Sequence, residues 1–285
     1  AIERRERTKM SYSYAASTFK KTKQVQLKGI NNFFAFSFCF FPLFIGFILP
    51  VIELTNWAIF FPSENLFSKK LLQSFFNTIW LGIFAGIICT VFAMVITFLK
   101  RFDKGRLLRS TSLSLSLGYA LPGLVLAVGI IQFFSFLDNV FLVNFLEISL
   151  VGSIVGLILA YVIKAYALAN NAVESGFERI NTKVDDVALS LKKSKFEIFF
   201  RIHTPLMKTS IITSLLLVIS EIIKELPATL ILRPFNFDTL AVTTYIYAAE
   251  ERMYEAASPA MMIVLIGLIP IFFLSRIIRD SRPGN

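Results

Sequence analysis

Residues 184–208 read VDDVALSLKKSKFEIFFRIHTPLMK, a stretch too polar to cross a membrane and too regular for a loose linker. Val184, Val187, Ala188 and Leu191 recur at i, i+3, i+4 and i+7, the spacing of one helix face. Asp185, Asp186 and Ser190 fall off that face. Thr182 and Asp185 have the spacing of a helix-starting capping box, with Asp in place of Glu, and Ser194 with Glu197 repeats it in the usual form. The first helix should stop near Lys192 and Lys193. Phe196, Phe199, Phe200, His203, Leu206 and Met207 follow at helical spacing, and Pro205, lacking an N–H, should bend the chain. The pattern predicts a helix–turn–helix lying parallel to a membrane and showing an apolar stripe. Two readings of that stripe stay open: an amphipathic connector resting on lipid headgroups, or a docking helix that fits a groove on a partner.

The membrane is read from what flanks this stretch. The chain has 285 residues, 55% of them hydrophobic, with 31 Phe and a mean hydropathy of +0.68. Such a composition belongs to integral membrane proteins, in which an apolar run of about 20 residues spans the bilayer as a helix. Six runs qualify: 33–53, 75–99, 112–136, 148–169, 206–223 and 259–277. Lys164 falls near the end of the fourth and is expected to snorkel to the interface. The expected fold class is an all-α membrane protein of six transmembrane helices, with a cytoplasmic helical loop, 180–205, between spans four and five. Its parts are a basic arm at 1–32, a first transmembrane helix at 33–54, a main transmembrane domain at 73–277 and a tail at 278–285. The arm has eight Lys or Arg and no apolar core, so it resembles neither a signal nor a transit peptide. Its first residue is Ala, which suggests a piece of a longer chain. Gly82 with Gly86, and Gly152 with Gly156, have the spacing that lets membrane helices approach closely.

Charge sets the orientation. Of the 29 Lys and Arg, 24 fall in the arm, in 100–109, in 164–208 and in the tail, and five fall in the alternate loops. Basic loops stay on the cytoplasmic side, so both termini are expected there. The same bias accounts for the net charge of +10 without a nucleic-acid partner. Cys39 and Cys89 lie in apolar runs and read as small buried hydrophobes, with neither disulfide nor metal. His203 is the sole histidine, which excludes a histidine-based metal centre. No phosphate-binding Gly-x-x-x-x-Gly-Lys-Ser/Thr loop is present, and neither a Ser/His/Asp nor a Cys/His set suggests an enzyme.

The loop resembles the EAA loop of type I permeases, the membrane subunits of binding-protein-dependent ABC importers. That motif reads Glu-Ala-Ala, three residues, Gly, nine residues, then Ile-x-x-Pro. At those positions this chain has Asp186-Val187-Ala188, Lys192 and Ile202-His203-Thr204-Pro205, with the spacing kept. The departure at Lys192 matters most. If the turn needs a left-handed backbone, Lys there costs about 1–2 kcal/mol relative to Gly; a looser turn is the alternative. The resemblance implies a coupling helix seated in a cytoplasmic ATPase, with Val184, Asp186, Val187, Ala188, Leu191, Lys192, Ile202 and Pro205 as coupling residues. It also implies an ATPase dimer, a second permease half, a periplasmic or extracellular substrate-binding protein, a bacterial inner-membrane location and no cofactor. The permease itself would hydrolyse nothing.

A second stretch, 221–259 (EIIKELPATLILRPFNFDTLAVTTYIYAAEERMYEAASP), narrows the resemblance. Lys224-Glu225-Leu226-Pro227, Leu232-Arg233-Pro234-Phe235 and Phe237-Asp238-Thr239-Leu240 look like the ferric-iron branch, whose members typically fuse two six-span halves. The resemblance implies ferric iron as cargo and a C-terminal half. Other cargoes, such as thiamine, a polyamine or sulfate, are the nearest alternative. Glu221, Lys224 and Glu225 stand at i, i+3 and i+4, so Lys224 can pair with either acid. With Asp238 they form a candidate outer gate or substrate path, or else ion pairs that anchor helix ends. A secondary transporter would instead need ionisable residues at mid-span, and the six runs hold almost none.

Overall fold

The structure, a computed structural model, describes residues 28–60, 68–102, 106–142 and 149–280. Most of the basic arm, parts of the loops at 54–74, 100–109 and 137–147, and residues 281–285 lie outside these. All secondary structure among the described residues is helical. Among the described residues five helices are long and apolar enough to span a membrane, or six if one bent pair is counted as a single span.

The chain divides into two compact units, one ending at Pro50 and the other beginning at Val51. Helix α1 (Ile30–Phe60) crosses that boundary. Its first part buries no residue and carries exposed Phe33, Phe34, Phe36, Phe38 and Phe41. Cys39 is exposed there too, contrary to the sequence reading, because no neighbouring helix covers that face within its unit. Pro42 and Pro50 each lack an N–H, and the turn between them widens to a π-helix at Phe44–Ile48.

In the larger unit, α2 (Lys69–Phe102), α5 (Ile154–Glu178) and α8 (Lys208–Ile223) form the central bundle. Ala85, Cys89 and Ala93 repeat along α2 at every fourth position and are fully buried. Gly82 and Gly86 face α8. A Cβ on Gly86 would stand 3.0 Å from Leu215 Cδ1 and 3.3 Å from Ile219 Cγ1, so the small-residue motif does bring two helices together. The second such motif does not. Gly152 lies in the turn before α5 at φ +76°, and only Gly156 packs within the bundle, against Phe134 and Ile130. Helix α11 (Met253–Asp280) completes the spans, and α1 meets it where the Trp57 and Tyr254 rings touch edge-on at 5.6 Å.

Span three is interrupted rather than continuous. Helix α3 (Arg106–Leu117) ends in a 3₁₀ turn, Gly118–Ala120, and α4 (Gly123–Leu137) starts after Pro122. A Cβ at Gly118 would collide with the Ile163 carbonyl oxygen of α5, so close approach requires glycine there. Span four differs in the other direction. It begins at Ile154 and runs to Glu178, nine residues past the expected end, because Tyr166, Asn170 and Glu174 are bonded to one another within the bundle. Lys164 is therefore mid-helix, ten residues or about 15 Å from the start of α5. It lies away from both ends of the helix, not near the end of the span as the sequence implied.

Candidate functional site

Helix α6 (Lys183–Ser190), the turn after it and α7 (Lys195–Leu206) form the helix–turn–helix of the opening stretch. The first capping box is absent. Thr182 makes no side-chain cap bond, and Lys183 N–H instead donates to Asn181 Oδ1 at 3.0 Å, a local turn with a shorter reach. The second box is formed: Ser194 Oγ accepts from Glu197 N–H at 3.2 Å and Ser194 N–H donates to Glu197 Oε2 at 3.1 Å. The Ser194 backbone N–H first, and then the Lys193 ammonium, hold the Glu197 carboxyl below the usual carboxylate range.

The turn keeps its tight form despite Lys192. Lys193 N–H bonds the Ala188 carbonyl at 3.1 Å and Lys192 N–H bonds the Leu189 carbonyl at 2.9 Å, the paired bonds of a Schellman cap. Lys192 takes the left-handed position at φ 56°. After α7 the chain bends by 76° into α8. The bend falls at Met207, two residues beyond Pro205.

Val184, Val187, Ala188, Leu191 and Ile202 meet in one apolar groove of about 370 Å³, joined by the stem of Lys183. Val187 and Leu191 are 60% and 69% exposed, whereas Ala188 forms the buried floor. Asp186, Lys192 and Pro205 are exposed outside that groove.

Asp185 departs from the expectation that it points away. It is buried, because a cation from another helix awaits it: Arg101 Nε, at the end of α2, pairs with Asp185 Oδ2. Arg101 also donates to the Phe177 and Ile180 carbonyls at 2.9 and 2.8 Å. The other carboxylate oxygen stands 2.7 Å from His203 Nε2. A carboxylate only accepts, so the neutral imidazole has its proton on Nε2, and Nδ1 has no hydrogen-bond partner. The Phe98 and Phe177 rings lie 5.6 and 5.1 Å from the His203 ring. Burial pushes the His203 pKa below its ordinary 6.5; Asp185 pulls it up and Arg101 pushes it down. Sequence periodicity missed Arg101 and Asp185. A charge at the edge of an apolar stripe and the chain's sole histidine were the available signals.

The four outer candidates do not converge. Lys224 pairs with Glu221 at 2.9 Å and is 63% exposed. Asp238 pairs with Arg233, in the segment before α10 (Leu240–Ala249). That segment docks on α2 through Asn77 Nδ2 to the Asp238 carbonyl and Thr78 Oγ1 to Leu240 N–H, both 2.9 Å. Glu225 turns inward and pairs with Lys164. It sits in the break between α8 and α9 (Pro227–Leu232), where Oε1 also accepts from Ala228 N–H at 3.3 Å. A Cβ on Gly123, which opens α4, would stand 2.9 Å from that oxygen. Two interrupted spans thus meet at one buried ion pair, and the sparse mid-span charge expected from sequence includes this exception. No group of three or more His, Cys, Asp or Glu is arranged to hold a metal among the described residues.

Residues 101–281 match the family described as "Binding-protein-dependent transport system inner membrane component". The Fe(3+)-transport system permease protein FbpB 2 of Haemophilus influenzae is 28% identical over 159 residues, which is 55% of this chain and 29% of that protein. The molybdate/tungstate transport system permease protein WtpB of Methanocaldococcus jannaschii is 25% identical over 232 residues, 80% of this chain and 88% of that one. Among solved structures, a bacterial ABC transporter involved in alginate import has a chain that superposes with TM-score 0.66 at 14% identity, covering 88% of this chain and 95% of that chain. The inward-facing MetNI methionine ABC transporter superposes with TM-score 0.57 at 15% identity, covering 76% and 96%. These likenesses show the fold.

Proposed function

Because the chain belongs to the binding-protein-dependent inner-membrane components and is a permease subunit of an ABC importer, we propose that it moves ferric iron into the cytoplasm. The observation that carries this cargo is the 28% identity with a ferric permease, alongside the Lys224–Pro227 and Phe237–Leu240 sequences. A second reading, an oxyanion such as molybdate, is favoured by the longer match to the molybdate/tungstate permease. A soluble binding protein would deliver the cargo to the outer ends of the spans. Of the acids proposed there, Glu225 is the one buried between helices, which supports a place on the substrate path. Glu221 and Lys224 form an accessible pair, suited to contact with the binding protein. Hard carboxylate oxygens suit a brief contact with a hard cation.

On the other side of the membrane, the apolar groove and exposed Val187 and Leu191 support α6 as the coupling helix of a separate ATPase. One chain has one such loop, and an ATPase pair has two clefts to fill, so this subunit would work with a second permease half. Residues 1–32 would be a cytoplasmic arm or the linker from that half, and both termini would be cytoplasmic.

The test is uptake of radioactive ferric iron, and separately molybdate, by iron-starved cells with and without the gene. Loss of iron uptake alone supports ferric cargo, and loss of molybdate uptake alone replaces it with the oxyanion. Normal iron transport by Glu221→Gln and Glu225→Gln would remove both acids from the path.

A further inference from the structure

Helix α6 buries only two side chains, Asp185 and Ala188. A methyl group gives little hold against a sideways push, and the connection from α5 through residues 179–182 is largely exposed. Asp185 is thus the main anchor of α6 to the rest of the fold. Its carboxylate is shared by Arg101 of α2 and His203 of α7. Arg101 simultaneously holds the last turn of α5 at Phe177 and the following residue Ile180. The next residue along α2 repeats the link, since Lys100 Nζ pairs with Glu174 of α5 at 3.1 Å. Four helices therefore converge on one guanidinium–carboxylate–imidazole cluster, whose members are buried or nearly so.

We propose that Arg101, Asp185 and His203 are positioning residues that lock α6 to the cytoplasmic ends of α2 and α5 and to α7, so that a push on α6 moves these helices as one body. The inference rests on α6 being the ATPase-docking helix. The physical reason is directional. Apolar contacts allow sliding, whereas a planar guanidinium bonded to one carboxylate and two carbonyls fixes both distance and angle. Ala188, Val187 and Leu191 would receive the push, and the cluster would pass it to the spans.

The test uses the whole permease complex with its ATPase, in a background lacking the native cysteines. Spin labels go on cysteines replacing Ser175 of α5 and Ser190 of α6, both exposed. The distance between them is measured with and without ATP. With the native cluster the distribution should be narrow and unchanged by ATP. With Asp185→Asn it should broaden and shift on adding ATP, and ATP hydrolysis should continue with less cargo moved per ATP. Arg101→Lys, which keeps the charge but loses the fork, should show the same change in smaller measure. His203→Gln keeps a donor to Asp185 and should stay close to the native pattern. If Asp185→Asn is not recovered as an assembled complex, Arg101→Lys decides alone. An unchanged distance distribution in the assembled variants overturns the proposal. So does a lower yield of complexes that then behave normally, which marks the cluster as a folding element only. Ala188→Glu separates the two ideas: if it leaves the ATPase bound, the docking reading fails, whatever the labels report.

Discussion

Asp185 and Glu225 are both buried carboxylates held by a cation from another helix, yet their settings differ. Around Asp185 the cluster is nearly saturated: Arg101 has three acceptors and the second carboxylate oxygen has an imidazole. Around Glu225 the pair with Lys164 stands where two helices are broken, with one backbone N–H from Ala228 in support. The first arrangement fixes a loop to a bundle. The second neutralises charge inside the bundle, next to discontinuities of the kind that line substrate pathways in membrane proteins. Burial alone therefore does not tell a joint from a path; the number and origin of the partners do.

The largest expected effect separates the two sites directly. Glu225→Leu leaves Lys164 uncompensated and should lower stability by about 3–5 kcal/mol, and adding Lys164→Met should restore most of the loss. At the Asp185 site, Asp185→Leu with Arg101→Met should recover much less, because the Phe177 and Ile180 carbonyls and His203 Nε2 lose their partners. Melting curves of the purified variants check this, and equal recovery at both sites would erase the distinction.

Ala188→Glu puts a carboxylate on the groove floor, and it should reduce the ATPase recovered with the permease by about tenfold or more. Co-purification reads this, with a melt to show that the spans remain folded.

A smaller effect comes from pH. The folded pKa of His203 is depressed below its ordinary 6.5, so the unfolded chain binds the proton more readily as pH falls past that value. Stability should be full above about pH 6.5 and decline below it. Asp185 and Arg101 are the charged groups facing the ring, and its other contacts are aromatic. His203→Gln should flatten this part of the melting profile, and an identical slope would show that other groups cause it.

The smallest effect is at the turn. Lys192→Gly removes the left-handed penalty and should stabilise the helix–turn–helix by about 1 kcal/mol, seen as slower amide exchange there.

Much of this was legible in the sequence because it is local. Apolar runs set the spans, the i, i+3, i+4 spacing put Val184, Val187, Ala188 and Leu191 on one face, and Ser194 with Glu197 capped α7; that Ile202 joins that face in the groove is tertiary. The motif spacing marked position 192 as the turn and left open whether it was left-handed or looser; the structure shows the left-handed form. Span lengths failed where polar residues continued a helix. Residues 170–178 look like loop by hydropathy, but bonds among Tyr166, Asn170 and Glu174 keep them helical.

By itself, the sequence determined an all-helical membrane fold, the position of its amphipathic loop and the family. Hydrophobic period and transfer energy depend only on near neighbours along the chain. Only the tertiary structure decided which charges meet. Arg101 finds Asp185 across 84 residues, and Lys164 finds Glu225 across 61. No periodicity encodes such a pairing. It is set by which helices pack side by side, and in a low-dielectric interior a buried charge must then be met by its opposite.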